Sequence, residues 1–328
     1  VTDPIGLAVA VLQGGRSSEH EISLLSGEAV AAGLDAAGFR VTEITVGRDG
    51  RWSGPDGPVS LLPGGGIDQV DVVFPVLHGP FGEDGSVQGA LETVGVPYVG
   101  SDVLASAVCM DKLTLKRLCQ SQGMDQVGFV EVGTEDWVAR ALALEGPLWV
   151  KPSRLGSSVG ITRVEGGEKE LLDAVAEAES HDPRVIVEAN SGGREIEVSV
   201  LGNRAPEVSV PGEIVIDAEW YDFDSKYSEG AMRLEVPAAL EPEVERRLRG
   251  IAIEVFALAG CSGMARCDFF VESDGRVLLN EVNTIPGFTD MSVYARLWEA
   301  SGLAYPDLLT RLVELAMDRA REAGTHSF

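Results

Sequence analysis

The chain has 328 residues, 45% of them apolar and 24% charged, an ordinary globular composition with length for two or three compact units. Its 52 acidic residues against 26 basic ones give a formal charge of −26, which argues against nucleic acid, whose phosphates are gripped by basic surface. No run approaches the ~18 apolar residues of a membrane span, so a soluble protein is expected.

The first apolar run, IGLAVAVL, has no basic residue before it and ends at Gly14 and Gly15, so it reads as a β-strand and not as a signal peptide. A helix over 19–37 follows. Ser18 and Glu21 fit a capping box, whereas Glu19 has no such structural explanation and suits a substrate ammonium at the carboxyl end of a sheet. Next come the strand FRVTEITV, a Gly- and Pro-rich stretch at 48–67 that suits turns or a small hairpin, and the strand VDVVFPVLHG. That rhythm predicts a parallel sheet with crossover helices. His78 closes the third strand, where a satisfied structural histidine is the commoner reading, although it faces the crevice of Glu19.

The pattern then predicts one helix over 104–122, with Ser101 as N-cap and Gly123 as stop. On it, Lys112 and Lys116 read as a solvated basic edge. The segment VKPSRLGSSVG puts Lys151 at a strand end before a loop with Gly156, Ser157, Ser158 and Gly160, whose small residues let backbone amides approach phosphate. It is not a P-loop, and no GxGxxG supports a dinucleotide fold. The strand ITRV, a helix over 167–178 and the strand RVIVEA complete this unit. Residues 220–230, WYDFDSKYSEG, read as a surface loop or as a lid carrying Lys226 and Tyr227. A helix near 241–259, a hairpin and a helix over 306–321 end the chain. Cys109, Cys119, Cys261 and Cys267 form no CxxC pair and fit buried thiols of a reducing cytoplasm.

The hairpin lies in GMARCDFFVESDGRVLLNEVN. A two-residue Asp274-Gly275 turn sets Ser273 opposite Arg276, and hence Asp268 opposite Glu281 and Arg266 opposite Asn283, all on one face. Facing carboxylates repel, so something must neutralise them. Two carboxylates and an amide oxygen are the hard ligands Mg²⁺ prefers, which suggests a metal–nucleotide site; pairing of the acids with Arg266 and water is the alternative.

HGPFGEDGSVQG, MDK, KPSRLGSSVG and RCDFFVESDGRVLLNEVNTIPG, in their order along the chain, resemble the D-alanine–D-alanine ligases of the ATP-grasp superfamily over nearly its whole length. The resemblance implies an α/β protein with α+β lobes: a three-lobe ATP-grasp fold with an N-terminal parallel-sheet α/β domain (1–102), a central lobe (103–187) and a C-terminal lobe with the metal hairpin (188–328). It implies ATP, held by Lys112, Lys151, Ser157 and Ser158 at the phosphates, Glu195 at the ribose, and Glu188, Ala189 and Ser191 at the adenine. Two Mg²⁺ ions, with Mn²⁺ as a substitute, would sit on Asp268, Glu281 and Asn283. Glu19 and His78 would meet the first D-alanine, and Lys226 and Ser292 the carboxylate of the second. Arg266 and the Gly287 N–H would stabilise the oxyanion, and Glu19, Ser157 and Tyr227 would form a closing network.

The implied reaction yields D-alanyl-D-alanine for peptidoglycan in the cytoplasm, from a homodimer without membrane or nucleic-acid partners. A D-serine or D-lactate acceptor, or a non-catalytic nucleotide-binding role, are the alternatives. Two positions depart from the family pattern. Asp290 adds an acid near the second-substrate pocket, where it either alters acceptor choice or merely faces solvent, and Ala189 stands where many relatives have Lys.

Overall fold

The computed structural model describes residues 6–216 and 232–325. The first five strands are β1 (Ala8–Gly14), β2 (Arg40–Val46), β3 (Trp52–Gly54), β4 (Gly57–Pro58) and β5 (Val72–Pro75). They form a sheet in the order β4-β3-β2-β1-β5, with β1 parallel to both β2 and β5. The crossover helix α1 (His20–Ala36) buries Ser23, Gly27, Val30 and Leu34 against it. At Gly27 a Cβ would meet the Gln13 side chain at 1.9 Å, so this close approach needs glycine. The capping box does not form. Ser17 Oγ, not Ser18, accepts the Glu19 N–H at 3.2 Å, and Glu21 lies at the surface, 3.1 Å from Arg48.

After α2 (Ser86–Val94), the single helix expected over 104–122 is two: α3 (Val103–Met110) and α4 (Lys112–Ser121). Asp111 breaks them with an extended conformation and caps α4 by accepting the Thr114 N–H at 3.0 Å, while Asp102, not Ser101, caps α3. The reason for the break is tertiary. Asp111 also accepts from Ser153 Oγ at 3.0 Å and from Arg184, and the Lys112 N–H donates to the Ser153 carbonyl at 2.9 Å. Lys112 is thereby fastened beside the strand that carries Lys151.

The second sheet is antiparallel, in the order β6-β9-β7-β8: β6 (Phe129–Glu131), β9 (Val185–Ala189), β7 (Leu148–Pro152) and β8 (Thr162–Val164). Helices α5 (Trp137–Leu142) and α6 (Glu168–His181) accompany it, and its core gathers Val150, Leu171, Val175 and Val187.

The third sheet runs β13-β12-β10-β14-β15, with β11 beside β10: β10 (Arg194–Gly202), β11 (Glu207–Val208), β12 (Gly212–Ile216), β13 (Met232–Glu235), β14 (Gly263–Val271) and β15 (Val277–Asn283). Helix α7 (Pro242–Leu258) covers one face, and Cys109, Leu115 and Cys119 of α3 and α4 join the same core. The last helices, α8 (Val293–Ala300) and α9 (Tyr305–Ala323), bring Tyr294, Leu309 and Leu312 into a core shared with β1 and β5 of the first sheet. The short helices α2, α5 and α8 have no counterpart in the sequence reading.

The β14–β15 turn is one residue longer than expected. Glu272 N–H donates to the Arg276 carbonyl at 2.9 Å, and Gly275 takes φ +82°, so the loop is Ser273-Asp274-Gly275 and Glu272 faces Arg276. Near the turn the register is accordingly Val271↔Val277 and Phe269↔Leu279. An irregularity after Asp268 leaves Asn280 without an opposite residue and restores Asp268↔Glu281 and Arg266↔Asn283. The expected facing pairs are present, although the expected turn is not.

Candidate active site

A cavity of about 410 Å³ opens where the three sheets meet. Glu19, His78 and Glu83 line it from the first sheet's loops, Lys112 and Ser157 from the middle of the chain, and Glu195, Arg266, Asp268, Glu281, Asn283, Gly287 and Ser292 from the last part. Its volume suits a small polar substrate with part of a nucleotide.

At the first-sheet end, the buried Glu19 accepts the hydroxyl proton of Ser157. Ser157 and Ser158 both adopt left-handed backbone, φ +51° and +59°, which turns the loop so that Ser157 reaches α1. His78 is occupied within the protein. The Ile285 carbonyl 3.1 Å from Nδ1 can only accept, so Nδ1 carries the proton and Nε2, 3.1 Å from Ser26 Oγ, is an acceptor. Burial lowers its pKa, and the neutral ring, both nitrogens bonded within the protein, forms part of the wall as a satisfied structural histidine beside Glu19. Glu83, unremarked in the sequence, lines the cavity and accepts the Gly79 N–H at 2.8 Å. Burial, then the neighbouring charge of Glu19, pushes its pKa up to about 8.

Beside the second sheet, at the start of α4, Lys112 Nζ donates to the Leu155 carbonyl at 2.7 Å and stands 3.8 Å from Glu281. Lys151 Nζ lies 2.6 Å from Glu188. Lys116, expected in solvent, is 2% exposed, with its ammonium 2.9 Å from the other Glu188 oxygen. The break before α4 rotates Lys116 inward, above the ring of Phe129. Burial opposes the Glu188 charge, but Lys116 and Lys151 outweigh it and bring its pKa down to about 2. The Glu188 carboxylate is therefore committed to two lysines and is not presented to an adenine. Ser191 Oγ donates to Glu272 at 2.6 Å, and Ala189 is half-buried at the strand end.

On the hairpin face, Arg266 makes a two-pronged contact with Asp268 at 2.8 and 2.7 Å and lies 3.0 Å from Glu197. Burial works against the Arg266 charge, yet Asp268 and Glu197 raise its pKa well above the ordinary value. The opposed carboxylates thus have protein counter-charges, Arg266 for Asp268 and Lys112 for Glu281. Pairing with Arg266, the alternative to metal, is thus present for Asp268, though the face lines a cavity and not bulk water. Among the described residues no group of three or more His, Cys, Asp and Glu side chains forms a metal cage. The set here is mixed, two carboxylates and the Asn283 amide, and its all-oxygen chemistry fits Mg²⁺ completed by phosphate and water. Glu197, missed in the sequence, pairs with Asp268 across β10–β14, and the Glu195/Glu197 alternation on β10 was the available signal.

At the far end, Ser292 Oγ accepts the Thr289 N–H at 2.9 Å, and a Cβ on Gly287 would come 3.2 Å from it, so both residues border one pocket. Asp290 is exposed and outside the cavity lining, which removes it from that pocket. Lys226, Tyr227 and the lid expected around them lie outside the described residues. Lys151, Ser158, Glu188, Ala189 and Ser191 stand off the cavity wall, whereas the other described candidates line it.

The sequence matches two family descriptions, D-ala D-ala ligase N-terminus over residues 8–65 and 61–101 and D-ala D-ala ligase C-terminus over residues 118–314. It is 46% identical over 319 residues to a D-alanine–D-alanine ligase of Solibacter usitatus, covering 96% of this chain and 97% of that one. A D-alanine–D-alanine ligase of Deinococcus radiodurans is 44% identical, covering 94% and 98%. Among solved structures, the D-alanine–D-alanine ligase from Coxiella burnetii superposes with a TM-score of 0.87 at 37% identity, covering 98% of this chain and 97% of the other.

Proposed function

The chain belongs to the D-alanine–D-alanine ligase family, and on that premise we propose that it joins two D-alanines with cleavage of ATP to ADP and phosphate, through a D-alanyl phosphate. It is an ADP-forming ATP-grasp ligase with small-molecule substrates, serving peptidoglycan synthesis. One observation carries the assignment of the chemistry to this cavity: an ammonium acceptor, clustered cations and an oxygen-donor face, from distant parts of the chain, border the same space.

In the first step a carboxylate oxygen of D-alanine bonds to the γ-phosphorus and the bond to ADP breaks. Glu19, oriented by Ser157, holds the ammonium, while Lys112 and Arg266 face the charge that spreads over the phosphoryl oxygens. Asp268, Glu281 and Asn283 would hold Mg²⁺, or Mn²⁺ in its place, which when bound neutralises phosphate charge. In the second step the amine of the second D-alanine attacks the acyl carbon, loses a proton, and phosphate leaves. Arg266 and the Gly287 N–H face the developing oxyanion, and Ser292 orients the incoming carboxylate. Lys151, Ser158, Glu195, Ala189 and Ser191 complete the nucleotide site; Lys226 would bind the carboxylate of the second D-alanine, and Tyr227 would join Glu19 and Ser157 in the closing network.

We divide the lobes at 102 and, because β9 runs through 187, after Ala189. A cytoplasmic homodimer is the proposed form, in keeping with four buried free thiols. Incubation with ATP, Mg²⁺ and D-alanine, alone and with D-serine or D-lactate competing, is the test by mass spectrometry. ADP, phosphate and D-alanyl-D-alanine are the expected products; release of none of them refutes the proposal.

A further inference from the structure

We infer that Lys116 is a positioning residue for ATP: it supplies a second counter-charge to Glu188, so that the trio with Lys151 keeps one net positive charge for the phosphates. The inference rests on the function proposed above.

Lys116 is not part of the cavity wall, is 2% exposed and would be costly to bury as an unpaired ammonium. Its partner is Glu188, itself 2% exposed, whose two oxygens lie 2.9 Å from Lys116 and 2.6 Å from Lys151. A carboxylate shared by two ammonium groups leaves one net positive charge on the trio, and the lysine nearer the solvent is Lys151, with 16% of its side chain exposed against 2% for Lys116. Were Lys116 absent, Glu188 would cancel Lys151 outright. The strand geometry fixes this arrangement. Trp149 pairs with Glu188 across β7–β9, and Lys151 lies two residues on, on the same face. Lys116 reaches them because the break at Asp111 sets the rotation of α4. In a chain with a formal charge of −26, a phosphate subsite cannot rely on the protein's general field and depends on such local cations.

The test uses Lys116→Met and the double variant Lys116→Met/Glu188→Gln. Calorimetric binding of Mg-ATP and of inorganic tripolyphosphate is measured, with the Michaelis constants for ATP and D-alanine and the melting temperature. Lys116→Met should weaken ATP and tripolyphosphate by about tenfold, the scale of one nearby charge, and leave the D-alanine constants within about twofold. The double variant removes both buried charges, leaves the positive charge of Lys151 uncancelled, and should bind both polyphosphates within about threefold of the unaltered protein. Unchanged polyphosphate binding by Lys116→Met overturns the inference. So does a folded double variant that stays weakened by about tenfold. If Lys116→Met does not fold, the double variant alone decides between those outcomes. Because tripolyphosphate binding needs no ligation, an unaltered protein that binds it but makes no dipeptide refutes the proposed function and not this inference.

Discussion

Glu83→Gln isolates the buried acid at the first-substrate end. An ordinary glutamate titrates near 4.5, and Glu83 in the folded chain near 8, because burial and the charge of Glu19 disfavour its anion. Between those values the folded state holds a proton that the unfolded state has lost. The stability this group contributes is therefore complete below pH 4.5 and is lost as the pH rises through about 8. At about 1.4 kcal/mol for each pH unit, the loss between pH 5 and pH 8 is about 4 kcal/mol. Glutamine keeps an oxygen for the Gly79 N–H and cannot ionise, so it removes this dependence. Urea unfolding of both proteins at pH 5 and pH 8 is the assay. The unaltered protein should lose about 4 kcal/mol more than the variant over that interval. Parallel losses would show that Glu83 is already ionised in the folded state and that the burial argument is mistaken.

Glu281→Gln, which leaves the hairpin register intact, should lower turnover about 100-fold at saturating D-alanine and raise the Mg²⁺ concentration needed for half activity; undiminished turnover would remove Glu281 from the metal face. Ser292→Ala should raise the Michaelis constant for the second D-alanine about tenfold, the loss of one hydrogen bond to a charged group, and spare that for ATP. Equal shifts for both substrates in initial-rate kinetics would mean the acceptor pocket lies elsewhere. Gly160→Ala puts a Cβ 2.7 Å from His181 and 2.9 Å from Pro152 at φ +68°, so thermal unfolding should show a loss of about 1–3 kcal/mol. An unchanged melting temperature would mean that the loop relaxes freely.

The hairpin explains both how far the sequence can be read and where reading stops. Alternation places Asp268, Arg266, Glu281 and Asn283 on one face, because a strand's period of two is set by covalent geometry. The turn is one residue longer than its sequence suggests, since Asp-Gly satisfies a two-residue turn as readily as the end of a three-residue one, and only the Glu272–Arg276 hydrogen bond separates them. That extra residue alone would put Glu281 opposite Cys267, on the wrong face. It is offset at Asn280, and the cause lies outside the hairpin: β15 meets the segment before β6 there, with the Leu279 N–H donated to the Asp125 carbonyl at 2.9 Å. The other departures share this character. Asp111 breaks a helix of good helical sequence because Ser153 and Arg184 bond its carboxylate, and Lys116 is buried because Glu188 awaits it. Glu83 and Glu197 look like surface acids until the lobes close around them. Local pattern therefore reveals which residues can act together on one element, whereas the charge state of Glu83 and Glu188, and so their chemistry, is decided by burial and by partners tens of residues away in the chain.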